Sequence, residues 1–199
     1  ELLDAVIQYF PTPEIHSAAP FSGSVFGISH HPAIGKIVHT KIYSGKIKTR
    51  DLLKNHSRKI EEKITRITHI LSDSFKDMPQ AEAGDIVGIC GLAETKIGDI
   101  LGEHSQYIPP KQSIHLPLLT VQVKPREEKN YALLAEALQI LSNEDPTLDF
   151  NWLKEEREMH IKIMGWIQIE VLEHIIQNRF NIAASFEDRT VIYKETPAK

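Results

Sequence analysis

Two tetrapeptides, Asp85-Ile86-Val87-Gly88 and Asp99-Ile100-Leu101-Gly102, match the D-x-x-G pattern that contacts a γ-phosphate in nucleotide hydrolases. That chemistry also needs a G-x-x-x-x-G-K-[ST] loop, whose amides and lysine meet the β and γ phosphates, and an Asn-Lys-x-Asp word for guanine. The 199 residues contain neither, so both tetrapeptides read as strand and turn residues. His30-His31 suggests a metal, yet adjacent histidines need further ligands to hold one ion, and a surface loop is the expectation. His160 and His174 fall in a strand and on a helix of different phase and read as ordinary polar positions. The carboxylate pairs Glu61-Glu62 and Glu155-Glu156 adjoin lysines and read as solvated faces. Cys90, the single cysteine, lies in an apolar run; it excludes an internal disulfide framework and reads as a buried small hydrophobe. There is no Gly-x-Ser-x-Gly elbow and no His-Glu-x-x-His. Asn55-His56-Ser57 matches the glycosylation sequon, a three-residue pattern that chance often supplies.

What remains is charge. The chain carries a formal charge of −4, so no net basic field points to nucleic acid and any RNA contact has to be a local patch. One candidate patch stands out. Lys46, Lys48 and Arg50 alternate, which on a strand sends all three to one side, with Lys41 and His39 as neighbours across the pair and Arg58 and Lys59 in the connection that follows.

The element that must position this patch is Lys36 to Leu53, read as a β-hairpin. Val38, Thr40 and Ile42 alternate with His39, Lys41 and Tyr43, the pattern resumes with Ile47 and Thr49, and Gly45 supplies the positive φ of the turn. Phe21 to Ser29 reads as an earlier strand, with His30 to Ala33 as the loop between. Gly84 to Leu92 and Ile97 to Leu101 read as later strands. Ile60 to Leu71 fits both a helical stripe (Ile60, Ile64, Ile67, Leu71) and a strand face, followed by an excursion over Ser72 to Ala83. Upstream, Glu1 to Phe10 has helical spacing with no start signal before it and reads as the continuation of something longer. Pro11, Pro13 and Pro20 then make an extended connection.

The second half changes period. After the proline-punctuated Ile108-Pro109-Pro110-Lys111, Leu119, Val121 and Val123 alternate as a strand, and Arg126 to Ser142 follows as a helix with Tyr131, Leu134, Ala135, Leu138 and Leu141 on one face. Asp145-Pro146 ends that unit; Thr147 to Trp152 and Glu158 to Met164 read as a strand pair. A helix from Gly165 to about Arg179 presents Ile169, Leu172 and Ile176, and a last strand lies within Asn181 to Tyr193. The order β-α-β-β-α-β defines a ferredoxin-like sandwich, with two helices on one face of an antiparallel sheet.

These words also carry a resemblance. Ile42-Tyr43-Ser44-Gly45-Lys46-Ile47, Ala83-Gly84-Asp85-Ile86-Val87, Gly91-Leu92 and Ile97-Gly98-Asp99-Ile100-Leu101 resemble, in order and spacing, the second domain of translational GTPases of the elongation factor G type. Tyr9-Phe10-Pro11-Thr12-Pro13 is similar to the helix end that closes that family's nucleotide-binding domain. Leu138, Asn143-Glu144-Asp145-Pro146, Met164-Gly165, Glu170, Phe180-Asn181-Ile182 and Val191-Ile192-Tyr193-Lys194-Glu195-Thr196 resemble its third domain. Two departures stand out. Gly165-Trp166-Ile167-Gln168-Ile169-Glu170-Val171 replaces the family's Gly-Glu-Leu-His-Leu-Glu and looks more like the tetracycline-type ribosomal protection proteins or the bacterial release-factor GTPase. Arg50-Asp51 stands where a Gly-Asp pair is expected.

The resemblance implies two domains, an all-β translation-factor barrel followed by an α+β ferredoxin-like sandwich. The boundaries expected are 1–20 for the end of a GTPase-domain helix and its connection, 21–108 for the barrel, 109–116 for a linker and 117–199 for the sandwich. It makes Ile60 to Leu71 a barrel strand. It further implies a non-catalytic central fragment that docks on the ribosome, through small-subunit RNA and proteins, and relays nucleotide state between its own GTPase and C-terminal domains. GTP and Mg belong to the parent protein, with no cofactor in this fragment. Lys46, Lys48, Arg50, Arg58 and Lys59 become candidate contacts to ribosomal RNA. A cytoplasmic monomer is expected, since no apolar stretch approaches the roughly 18 to 20 residues of a membrane span and no secretory signal opens the chain. Two other readings stay open: a stand-alone RNA-binding adaptor, which wants aromatics among basic residues on the sheet, and an enzyme with an interdomain site.

Overall fold

A computed structural model describes residues 2–10, 15–71, 74–109, 117 and 119–188. The chain separates into two compact units, Glu1–Gln112 and Ser113–Lys199. Expectations for Pro11 to Pro13, for most of the second proline connection and for Val191 to Thr196 lie outside the described residues.

The first unit opens with helix α1 (Leu2–Tyr9), which buries none of its residues. Ten strands follow: β1 (Ser22–His31), β2 (Gly35–Ser44), β3 (Lys46–Lys48), β4 (Leu52–Asn55), β5 (Ile60–Lys63), β6 (Arg66–Leu71), β7 (Ser74–Met78), β8 (Gln80–Glu82), β9 (Ile86–Cys90) and β10 (Ile100–Gly102). Eight of them form one antiparallel sheet in the order β5-β4-β10-β1-β2-β9-β6-β7, and β3 pairs with β8. Since β5, at one end of that order, runs through only Ile64 and Thr65 into β6, next to the other end, the chain itself draws the two sides of the sheet together and the sheet curls into a barrel. Val25, Val38, Ile42, Ile64, Ile67, Val87, Ile89 and Leu101 fill it.

The alternation along β2 is as read, with Val38, Thr40, Ile42 and Ser44 buried and His39, Lys41 and Tyr43 half-buried on the other side. The hairpin is not. β2 pairs with β1 (Val38 opposite Ile28) and with β9 (Val38 opposite Ile89), whereas β3 leaves for β8. Gly45 does take a positive φ of 70°. Its reason is a close approach, because a Cβ there would sit 2.6 Å from the Phe21 backbone where the chain passes from one sheet to the other. The true hairpin is β1 to β2, and His30 and His31 end β1 rather than lie in a loop. Alternation fixes which face a residue takes; it is silent about which strand lies alongside.

Ile60 to Leu71 is extended, as the resemblance required, but divided: β5 pairs with β4, and β6 with β7 and β9. The described part of the excursion after it forms β7 and β8.

One turn recurs three times in the barrel. At Lys48–Asp51, Glu82–Asp85 and Lys96–Asp99 the aspartate N–H donates to the carbonyl three residues back, at 3.2, 3.0 and 3.2 Å. The same aspartate's Oδ2 accepts the N–H of that earlier residue at 2.8, 2.9 and 2.9 Å. The residue before each aspartate is left-handed: Arg50 at φ 78°, Gly84 at 99° and Gly98 at 86°. These are type II turns, which need positive φ at their third position. Arg50 therefore occupies a place the other two turns give to glycine.

The second unit contains β11 (Leu119–Pro125), α2 (Tyr131–Glu144), β12 (Asn151–Leu153), β13 (Glu158–Ile163), α3 (Trp166–Phe180) and β14 (Ala184–Asp188). Its antiparallel sheet has the order β12-β13-β11-β14. Leu134, Ala135, Ala137, Leu138 and Leu141 of α2 and Leu172 and Ile176 of α3 pack on Val121, Val123, Met159, Ile161 and Ile163. α2 starts later than its period suggested, after a 3₁₀ turn at Glu128–Asn130. Thr147 to Phe150 is not strand, because the Asp145 carboxylate accepts the Thr147 N–H at 3.0 Å and holds Pro146–Leu148 as another 3₁₀ turn. α3 begins with Gln168 Oε1 reaching back to the Met164 N–H at 2.9 Å and ends on Asn181 in the left-handed conformation.

Candidate nucleic-acid interface

The structure divides the sequence-nominated cations. Lys46 and Lys48 are exposed on β3, on either side of buried Ile47, and share the outer face. Glu82 lies directly opposite Lys46, and Gln80 opposite Lys48. Arg50 is exposed but lies past the strand, in the left-handed turn position, so it does not continue their row. Lys41 and His39 are not across from these lysines; they sit on β2, where Lys41 faces Ser24 and Ile86 and its ammonium hydrogen-bonds the Gly84 carbonyl. Lys59 is exposed, itself left-handed at φ 58°.

Arg58 is claimed by the protein. Its Nε lies 2.6 Å from Asp99 Oδ2, an oxygen that also accepts Asn55 Nδ2 at 2.9 Å and the Lys96 N–H at 2.9 Å. Asn55 Nδ2 also meets Thr95 Oγ1, which donates to Glu62 Oε2 at 2.6 Å, and Lys36 Nζ caps the Ala93 and Thr95 carbonyls at 2.6 Å. Burial holds the Lys36 ammonium below its ordinary pKa against the opposing pull of Glu62 and Glu94. This network ties β2, β4 and β5 to the 91–99 loop. It also disposes of the sequon, since Asn55 is fully buried with its amide engaged.

The D-x-x-G aspartates are accounted for as well. Asp85 and Asp99 each close one of the recurring turns, so their carboxylates are held by their own chain. Cys90 is buried in β9, and burial pushes its thiol up, away from the thiolate that nucleophilic chemistry needs. His160 is buried, contrary to its reading as an ordinary polar position, with Nε2 at 2.8 Å from Glu158 Oε2 and no partner for Nδ1 among the described residues. Exposed His174 meets the Asn178 amide at 2.7 Å. Among the described residues no group of three or more His, Cys, Asp or Glu is placed to hold a metal ion.

Sequence reasoning missed Phe26. The β1–β2 register shifts between Val25 and Gly27, so Phe26 is the extra residue of a β-bulge and points outward, 54% exposed. Beside it the His39 ring accepts or donates a 2.8 Å hydrogen bond with Ser29 Oγ, and the two ring centroids are 6.1 Å apart. With His69, Ile70 and Ile86 they line a groove of about 660 Å³. The only signal was the run Val25-Phe26-Gly27-Ile28, whose apolar residues break a period of two.

A curled all-β unit followed by a sheet of order β12-β13-β11-β14 under two helices is the pairing of domains found in the middle of translational GTPases. The comparisons identify them. Residues 20–104 match the family described as Elongation factor G domain 2, and residues 114–188 match Elongation Factor G, domain III. The chain is 31% identical over 212 residues to elongation factor G of Carsonella ruddii, covering 100% of this chain and 31% of that protein. It is 30% identical over 197 residues to the tetracycline resistance protein TetP of Clostridium perfringens, covering 99% of this chain and 30% of that protein. A crystal structure of a Thermus thermophilus protein superposes with a TM-score of 0.75 at 22% identity, over 96% of this chain and 29% of that one, a likeness of fold. The chain therefore belongs to the elongation factor G family of translational GTPases, as its domains II and III. It spans about three tenths of the length of the relatives it matches.

Proposed function

We propose that this chain is the non-catalytic middle of a cytoplasmic, ribosome-associated GTPase, docking through its barrel on small-subunit RNA and passing nucleotide state between the domains on either side. The observation that carries the reading is the match of both domains, in order, over nearly the whole chain to proteins three times as long. The lysine pair on β3 supports the docking face, since Lys46 and Lys48 project outward side by side on an otherwise acidic chain. Phosphate contacts of that kind position a protein without reading sequence and weaken steeply with salt. GTP and Mg are taken up by the parent protein's nucleotide domain. The tetracycline-protection variant of this function rests on Gly165-Trp166-Ile167-Gln168, where Gln168 caps α3 and leaves Trp166 and Ile167 exposed on its first turn.

Sedimentation of the chain with small ribosomal subunits at two salt concentrations tests the docking. Changing Lys46 and Lys48 to Glu is expected to weaken association and to reduce the log-log salt slope by about 0.9 for each phosphate no longer neutralised. Unchanged affinity and slope would assign the pair to solubility.

A further inference from the structure

We infer that the groove beside the β1 bulge, between the Phe26 and His39 rings and Ile86, is a stacking site for one unpaired nucleobase of RNA; this deepens the ribosome-docking reading and rests on it. Bulges re-aim side chains, and this one turns a phenyl ring out of a barrel whose other large apolar residues on β1 point inward. The His39 ring lies over Gly27, where an added Cβ would meet its Cδ2 at 3.5 Å, and Ser29 Oγ fixes its rotation. Burial lowers the pKa of His39 and keeps the ring neutral, so it offers a π face rather than a charge. The two rings meet at 38°, an aromatic corner with Ile70 and Ile86 as apolar walls.

The surroundings match a nucleotide better than a protein side chain. Lys41 lies on the same side of β2 as His39 and is anchored on Gly84, a lining residue, which places a cation at the rim for the phosphate that accompanies a base. The rim carboxylate, Asp85, has one oxygen committed to the Glu82 N–H. The volume lies within the range of small-ligand sites and fits a nucleoside, not a helix. Proteins recognise RNA bases in this way where single-stranded loops splay them out onto aromatic rings, and duplex RNA cannot supply them.

The test uses the whole chain with labelled histidine rings and isoleucine methyls, titrated with a six-nucleotide oligoadenylate, with a duplex of the same length and with small ribosomal subunits. The His39 and Ile86 signals are expected to shift with the single strand and not with the duplex. Phe26→Ala is expected to weaken that binding roughly tenfold, and Phe26→Trp to retain it. Phe26 is exposed, and unchanged signals from buried Ile37 and Ile89 verify the fold of each variant. Equal affinity for Phe26→Ala, or no shift with the single strand, would overturn the site. If subunit association falls with Lys46→Glu and Lys48→Glu while oligoadenylate leaves the groove untouched, the groove fails and docking stands. If the lysine changes have no effect yet oligoadenylate shifts His39 in the wild type, docking through β3 fails and the groove stands. Shifts produced by RNA-free ribosomal proteins alone overturn the base in favour of a protein side chain.

Discussion

The barrel and the ferredoxin-like unit are held together by different means. The sandwich is an apolar layer, with Leu134, Leu138 and Ile176 pressed on Val121, Val123 and Ile161, and exposed ion pairs such as Lys124 with Glu187 contribute little to it. The barrel has an apolar interior too, but its short strands are joined by aspartates that bind their own turns and by the Asp99 network. The contrast follows from geometry. Long helices on a sheet bury enough apolar area to fix their own arrangement, whereas strands of three to five residues leave corners whose N–H groups need partners.

The contrast is broken most directly at its two centres. Asp99→Ala removes the acceptor for Asn55, Arg58 and Lys96 at once, and stranding partly buried donors and a guanidinium should cost about 3 kcal/mol. Leu138→Ala empties a fully buried position in the sandwich and should cost a comparable amount, about 2 to 5 kcal/mol, a range typical of such cavities. In denaturant unfolding followed by unit-specific probes, each change is expected to move the transition of its own unit and leave the other in place. A joint shift of both would show one cooperative core.

Legibility followed the same divide. The β-α-β-β-α-β order was readable because the stripe from Leu134 to Leu141 and the alternation Met159, Ile161, Ile163 are long and local. In the barrel the faces of β2 were readable and its neighbours were not, since the partners of Val38 on β9 and of Lys46 on β8 lie more than 30 residues away in sequence and are set by the tertiary fold. The pairing of Arg58 with Asp99 was not legible because the two lie 41 residues apart in sequence. Phe26 was marked only by a break in the period of two over Val25 to Ile28, because a bulge is a fault in a pattern.

A smaller effect sharpens the account of the turns. Arg50 adopts at φ 78° what glycine adopts in the two sister turns, and a left-handed side chain costs about 1 to 2 kcal/mol. Arg50→Gly relieves that strain while losing some unfolded-state restriction, so the barrel's stability is expected to rise by about 1 kcal/mol. A fall would mean that the arginine side chain makes a contact worth more than the strain.

The smallest expected effect is on pH. His39 has a folded pKa below 6.5 because burial disfavours its charged form, so the unfolded chain binds the extra proton first. Its contribution to stability is therefore present above pH 6.5 and is lost as pH falls through the folded value. The barrel's transition should move down as pH falls from about 7 to about 5, and less so in His39→Gln, while the sandwich's shows no such His39-linked difference.

The central claim is that the barrel, and not the sandwich, meets ribosomal RNA. The direct measurement is amide line broadening across the whole chain on titration with small ribosomal subunits at low salt. The account predicts loss of signal at Lys46 to Lys48 and around Phe26, reversed by added salt. Broadening confined to residues 119–188, with β3 unperturbed, would contradict it.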